Sequence, residues 1–504
     1  MDTIALFLAS FVFICSFWWL LKKKSHKKQL PPQAAGSRPL FGHLHLLRGS
    51  KPPHRVLSDL ADTYGPIFTI NLGRYRAIVV SDSLTAKQCF TTNDLAFSSR
   101  PNRIFTQVLC YQNTMFGLAE HSDFWRQMKK KTTIDLLSNN RQLITELRAN
   151  EINTGLETLR KFWEQHKGVS GKADVDLKQW LQDVAMNLNM KIIIGKTAGY
   201  ATGEGAGEVM ARWRKWFAVY TTLFAKITIG DLFPFLRRFD IGNDEQTMKV
   251  TMKNLDDILH QWLIEHKQEN VTGGGDFMHL LIKSFENCDV NMEGRDPDTV
   301  IKSTCLGLVL AGSDTTADAL KWAVTELMAH PEALKKLQEE IDMKVERERK
   351  VTESDTKGME YLDAVIKESL RLYPPGPLAV EHMSTEDCHV AGYEVPANTI
   401  LIPNIWRIQR DARVWEMAEE FIPERFLTTH KGVDVRGQSF DLIPFGSGRR
   451  MCPGITFAMQ MMKLTLASLL HEFHLHPCQP IQSLPETQNP MLAPLHLSLS
   501  PRLA

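Results

Sequence analysis

The chain has 504 residues, 59 basic against 58 acidic, and 43% hydrophobic content. Such a length buries a large core, and a charge balance this even excludes a nucleic-acid footprint or a polyanionic substrate. Its eight cysteines (15, 89, 110, 288, 305, 388, 452, 478) make no CxxC pair and no regular framework, which excludes a disulfide scaffold and points to a reducing compartment.

The first predicted element is a transmembrane helix over Ile4–Leu21, interrupted only by Ser10, Cys15 and Ser16. At 1.5 Å per residue it reaches about 27 Å, close to the hydrocarbon thickness of a bilayer. Lys22, Lys23, Lys24, Lys27 and Lys28 follow it. A cleaved signal peptide carries its positive charge in front of the apolar run, so an uncleaved anchor is expected. By the positive-inside rule its N-terminus faces the lumen and the rest of the chain the cytosol. A basic, proline-rich spacer over 22–45 comes next, with Pro31, Pro32 and Pro39 stiffening it. Residues 46–504 form one globular unit, since no later stretch reads as an interdomain linker.

Within that unit, alternation and β-branched residues predict a hairpin of Ile67–Leu72 and Ala77–Val80. From about Ser83 to Pro374 the pattern is helix after helix, with surface loops at the Gly-rich patches 202–208 and 272–276. Three motifs carry no chemistry. Gly195-Lys196-Thr197 lacks the glycine five residues earlier that a phosphate loop needs; position 190 is Met190. His471, His474 and His476 lack zinc-protease spacing, and 474, 476 and 478 alternate along one strand face. The sequon at Asn270 would sit in the cytosol, away from glycosylation.

Pro297 opens a long helix, capped by Asp296. Midway along it lies Ala311-Gly312-Ser313-Asp314-Thr315-Thr316, although a helix-interior Gly costs about 1 kcal/mol against Ala. That is either a packing notch or room for a ligand. Glu368 and Arg371 in KESLRLYPP stand one helical turn apart on one face, followed by Arg425 in FIPERF. The loop PFGSGRRMCPG, Pro444 to Gly454, then sets Cys452 after two arginines among glycines. A structural thiol needs no arginine; a metal-ligating thiolate gains from nearby positive charge and close backbone N–H groups.

The pattern Phe445-x-x-Gly448-x-Arg450-x-Cys452-x-Gly454 resembles the haem-binding signature of the cytochrome P-450 superfamily. WRIQRDARVW (406–415) and DVRGQSFDLIPFGSGRRMCPG resemble its plant A-type members, most closely family eighty-two. The resemblance covers Pro31 to Arg502. It implies a mainly α fold with small β-sheets, holding haem b between the long helix and the cysteine loop. Cys452 would ligate the iron as thiolate, Arg450 would pair with a propionate, and Phe445, Gly448 and Gly454 would shape the loop. Glu368, Arg371 and Arg425 would form an ion network behind the cofactor. Trp125, Arg126 and Lys129 occupy the helix usually written WxxxR, with Lys129 in place of the arginine. His382 is a candidate propionate partner. Beside it, Glu381 replaces the usual proline and either selects a basic or hydroxylated substrate or turns outward. Gly312 would give room over the haem, and Asp314 and Thr315 would relay protons to bound dioxygen.

The implied function is an endoplasmic-reticulum monooxygenase inserting one oxygen atom of O2 into a hydrophobic plant metabolite such as a terpenoid, phenolic or alkaloid. Electrons would come from a membrane NADPH–cytochrome reductase, docked on Lys129, Lys130, Lys131 and Arg449. Substrate contacts are expected from the 101–120 loop, Leu310–Ala311, Leu378–Val380 and Asn489–Leu492. A haem-thiolate isomerase or dehydratase acting on peroxides, and a non-catalytic haem protein of the membrane, are the alternatives. The Asp314–Thr315 pair argues against both.

Overall fold

The computed structural model describes residues 29–136, 141–200, 207–268, 275–287, 292–478 and 494–502. The expected anchor at 4–21, the tips of both Gly-rich patches and Asn489–Leu492 lie outside these residues. Among the described residues no helix is long and apolar enough to cross a membrane.

The principal helices are α1 (Pro53–Tyr64), α2 (Ser83–Phe90), α3 (Asp123–Lys131), α4 (Arg141–His166), α5 (Leu177–Ile194) and α6 (Glu208–Leu223). They continue with α7 (Asp244–Gln268), α8 (Phe277–Glu286), α9 (Pro297–Ala329), α10 (Pro331–Lys344), α11 (Glu360–Leu372) and α12 (Ile455–Glu472). The strands are β1 (Ile67–Leu72), β2 (Tyr75–Val80), β3 (Ala173–Asp176), β4 (His382–Met383), β5 (Cys388–Val390), β6 (Tyr393–Val395), β7 (Ile400–Pro403), β8 (Phe473–Pro477) and β9 (His496–Pro501). A mainly helical fold with small sheets is what the sequence led us to expect.

The predicted hairpin forms, with its second strand starting two residues early at Tyr75. Gly73, at φ +59°, makes the tight turn. The sheet continues through β7 to β4 in the order β1-β2-β7-β4, β2 and β7 running parallel. A second sheet has the order β3-β9-β8, and β5 pairs with β6. The stretch read as a spacer is largely part of the globule. Thr69 N–H donates to Pro32 O at 2.7 Å and Ala34 N–H to Thr69 O at 3.0 Å. His43 Nε2 meets Ala34 O at 2.9 Å, and Leu44 is buried. Its prolines suit an edge partner of β1 that gives few donors, so they do not mark a free linker.

The centre of the molecule is α9. Asp296 caps it through Thr299 N–H at 2.9 Å, with Pro297 at its first position, as expected. Most of its side chains are buried, and its largest packing partner is α5. The two axes come close because Gly312 has no side chain. A Cβ there would collide with the amide of buried Asn189 on α5. Gly312 therefore makes room for a neighbouring helix, which corrects its expected place over the cofactor.

Candidate functional site

The cysteine loop is shaped by glycines. Gly446 (φ +72°) and Gly448 (φ +70°) both sit in left-handed backbone, where a Cβ is unfavourable. At Gly448 a Cβ would also strike Asp94 Oδ1. Asp94 holds the loop from outside, accepting Arg449 N–H at 3.0 Å and pairing with its guanidinium at 3.1 Å. The Cys452 N–H donates to Phe445 O at 3.0 Å, folding the loop back on itself. Cys452 is partly open, and Gly454 passes so near that its Cβ position lies 3.8 Å from Sγ. Burial raises the thiol pKa; the Gly454 N–H and Lys129 pull against it. Gly454 is also the N-cap of α12. Cys452 thus stands before the positive end of a helix dipole, a place that favours thiolate.

Cations gather beside this loop. Arg450 stacks on Trp125 at 4.3 Å and spends two donors on backbone, Nε on Ser98 O and Nη2 on Ala119 O, each at 2.7 Å. Arg100 is 7% exposed and donates to Val380 O and Glu381 O at 2.8 and 2.7 Å. Burial and the Arg100 charge push Arg450 down to about 9, and burial pushes Arg100 down to about 10. Lys129 donates to Arg449 O, lies 5.4 Å over Trp125, and is likewise lowered by burial and by Arg450. Among the described residues, Arg450 Nη1, Arg100 Nε and His121 Nε2 are buried without hydrogen-bond partners. Cations withdrawn from water with donors unspent are stabilised by an anion. The two propionates of a haem are such anions, so the residues present fit the group.

His382 belongs to this cluster but with a specific polarity. Nδ1–H donates to Phe97 O at 2.8 Å, leaving Nε2 as an acceptor, and burial with the Arg100 charge holds the ring well below its usual pKa. It meets a carboxylate only by taking up a proton. Arg126 is a correction to the sequence reading. It points to solvent and pairs with Asp123 one turn away on α3, and its charge reaches the cluster only as one of several that lower His121.

On α9, Ala311 and Thr315 are accessible although the turns to either side are buried. With partly buried Leu308 they form one open strip, spaced i, i+3, i+7. Thr315 Oγ1 donates to Ala311 O at 2.6 Å, which leaves its lone pairs facing outward. Asp314 turns instead toward α5, where Gln182 Nε2 reaches its Oδ1 at 3.5 Å. Burial raises its pKa against the pull of Lys178. One turn on, burial lifts Asp318 to about 6 and lowers Lys321 to about 8.

Glu368, Arg371 and Arg425 come together as the spacing implied, at 0, 0 and 5% exposure. Arg371 grips Glu368 in a fork of 2.7 and 2.8 Å, and Arg425 Nε donates to the same carboxylate at 3.0 Å. The remaining guanidinium donors go to backbone carbonyls of Gln409, Glu416, Met417, Ala418 and Glu420. These three residues satisfy one another and the 416–420 turn, so theirs is a structural role. Glu381 neither turns outward nor stands free: both its oxygens accept from Arg103, itself 1% exposed, at 2.9 and 3.2 Å. Sequence reasoning missed Arg100, Arg103, Gln182 and Asp318. Arg100 lies 350 residues from the Arg450 whose charge it feels, and Arg103 278 from its partner Glu381, and no spacing rule spans such distances.

Comparison with known proteins agrees with this geometry. A family model described as Cytochrome P450 matches residues 31–500. The chain is 41% identical to strychnine-10-hydroxylase of Strychnos nux-vomica, over 97% of this chain and 94% of that one. It is 42% identical to xanthotoxin 5-hydroxylase CYP82C4 of Arabidopsis thaliana (98% and 96%) and 43% to a flavonoid-6-hydroxylase of Ocimum basilicum (90% and 86%).

Proposed function

This chain belongs to the cytochrome P450 family, with relatives in plant family eighty-two, and we propose on that footing how its own residues serve a haem monooxygenase of specialised metabolism. The family's haem, bound through a cysteine thiolate, activates O2 for insertion of one atom into a C–H bond. Cys452 is that cysteine: burial raises its thiol pKa, and the Gly454 N–H, Lys129 and the α12 dipole work against that rise. Arg450, Arg100 and Lys129 would hold the propionates, Arg450 being oriented by Trp125. The α9 strip of Leu308, Ala311 and Thr315 forms the opposite wall. Asp314, its pKa raised by burial and its carboxylate met by Gln182, would deliver protons from the α5 side, and Thr315 Oγ1 would order the water that receives them. The observation that carries this reading is the buried cation cluster with unspent donors beside a partly open Cys452.

The substrate is a hydrophobic alkaloid or phenolic plant metabolite, by analogy with the strychnine, flavonoid and xanthotoxin hydroxylases. Residues 4–21 anchor the enzyme in the endoplasmic reticulum, with the globule cytosolic and fed by an NADPH–cytochrome reductase. The lysines after the apolar run and the exposed Lys130 support this arrangement.

The test uses microsomes from cells co-expressing this chain and a reductase, given a panel of plant alkaloids and phenolics. Hydroxylated product should require NADPH, and the reduced carbon-monoxide adduct should absorb far to the red of a histidine-ligated haem. Cys452→His should abolish that band. Thr315→Ala should keep the band and NADPH consumption while releasing hydrogen peroxide in place of product. Survival of the band in Cys452→His refutes the ligand assignment; product formed without NADPH favours a peroxide isomerase.

A further inference from the structure

Away from the cysteine loop, three titratable side chains converge where the end of α7 meets the start of α8. They are His266, Asp276 and His279, and their ligand-capable atoms all lie within 4.8 Å of one another. His266 is 4% and His279 7% exposed, and the two rings approach to 4.3 Å between centroids. The Asp276 side chain is 10% exposed. Asp276 is the N-cap of α8, its Oδ1 accepting His279 N–H at 3.1 Å.

The hydrogen-bond polarity is what singles out this group. His266 Nδ1 sits 2.7 Å from the Trp262 carbonyl. A carbonyl only accepts, so Nδ1 carries the proton. In the neutral ring Nε2 is then a bare lone pair, yet it faces Asp276 Oδ2 at 2.9 Å. Two acceptors at that distance repel, and something positive must lie between them. His279 Nδ1 lies 3.2 Å from Asp276 Oδ1 and, with its proton on Nε2, would add a third lone pair to the group. The Nδ1–H···O=C bond on His266 is also the arrangement that orients a metal-ligating histidine and fixes its tautomer.

The chain is built to let these groups close in. Gly195, at φ +67°, ends α5 directly against them, and a Cβ there would collide with Asp276 Oδ2. Gly275 likewise leaves space that a Cβ would take from His279, only 2.9 Å away. Ligand atoms in a tetrahedral shell with bonds of about 2.0–2.1 Å stand about 3.3 Å apart. The His266–Asp276 and His279–Asp276 separations, each to its own carboxylate oxygen, need to widen by only a few tenths of an ångström, and all the ligand atoms already lie within 4.8 Å of one another.

We propose that His266 Nε2, an Asp276 carboxylate oxygen and His279 Nδ1 form a second metal site, distinct from the haem. Two imidazoles and one carboxylate, with no thiolate, suit a borderline divalent cation of the zinc class better than Ca2+ or Mg2+. Three protein ligands leave a fourth position for water. The cation ties α7 to α8 beside the end of α5, so it sets how the α7–α8 corner packs on α9.

The haem-loaded full chain, stripped with a chelator and re-equilibrated with Zn2+, tests this. One Zn2+ per chain should remain after gel filtration. Zinc-edge absorption fine structure should show nitrogen and oxygen neighbours with no sulfur, which excludes capture by His474, His476 and Cys478. Zn2+ should raise the melting temperature, and equal Mg2+ should not. Asp276→Asn keeps an N-cap and His266→Gln keeps the side-chain size; each should weaken Zn2+ binding at least tenfold with haem content unchanged. Absence of stoichiometric zinc from the wild-type protein overturns the proposal and leaves His266 as an imidazolium paired with Asp276. Sulfur in the shell, or variants that bind like the wild type, overturns it as well. The wild-type measurements decide even if both variants fold poorly.

Discussion

Glu368 and Arg450 are both charges withdrawn from water, and their surroundings differ in kind. Around Glu368 two guanidiniums and the Ile422 N–H converge on one carboxylate. Arg371 and Arg425 in turn place their other donors on carbonyls. That network is closed within the chain, so its desolvation is offset as soon as the polypeptide folds. Around Arg450 the neighbours are Arg100, Lys129 and His382, whose pKa burial holds well below its usual value, and donors are left over. That cluster is offset only when an anion arrives from outside the chain. The first holds the fold together. The second makes cofactor capture part of finishing the fold, because haem binding relieves a penalty that the apoprotein carries.

The sharpest way to break this comparison is to open the closed network. Glu368→Ala or Arg371→Ala leaves a buried unpaired charge, which costs about 3–5 kcal/mol. Little folded, haem-loaded protein should be recovered, as read from the carbon-monoxide band and denaturant unfolding; normal yields would show that the two clusters do not differ. Arg450→Gln should act in the opposite sense. The apoprotein loses a poorly solvated cation and should be no less stable, whereas haem affinity should fall about ten- to a hundredfold, the worth of roughly 1.5–3 kcal/mol for hydrogen bonds to a charged group. Equal destabilisation of apo and haem-bound forms would contradict it. Smaller still, Lys129→Arg exchanges a point charge for a fork. It should slow haem release a few-fold, measured by transfer to an apo-globin acceptor. Arg126→Ala removes only an exposed pair on α3, so haem content and unfolding midpoint should stay within error.

The two regions were also unequally legible in the sequence. The closed network is written in short-range spacing: Glu368 and Arg371 sit one turn apart, and PERF follows as a recognisable turn. The long helix was readable from Asp296, Pro297 and its apolar run. The cation cluster was readable only where the cysteine loop passes through it. Arg100 and His121 come from loops whose positions depend on β4 and α3, and burial alone gives them meaning. The short strands escaped for a similar reason. β4 through β7 have two to four residues each, too few for a period to show, and β7 gains its partner from β2, more than 300 residues earlier. Gly312 was seen but misassigned: one sequence cannot say which side of a helix its smallest residue serves.

That glycine bears on how the enzyme can change over generations. Any side chain at position 312 would force Asn189 out of its bond to Ala185 O at 2.8 Å and pry α9 from α5. Its immediate neighbour Ala311 opens onto the strip and meets no such obstacle. Change is thus confined to one side of the helix: Leu308 and Ala311 are free to vary in size and polarity, while the register of the helix that carries them stays fixed.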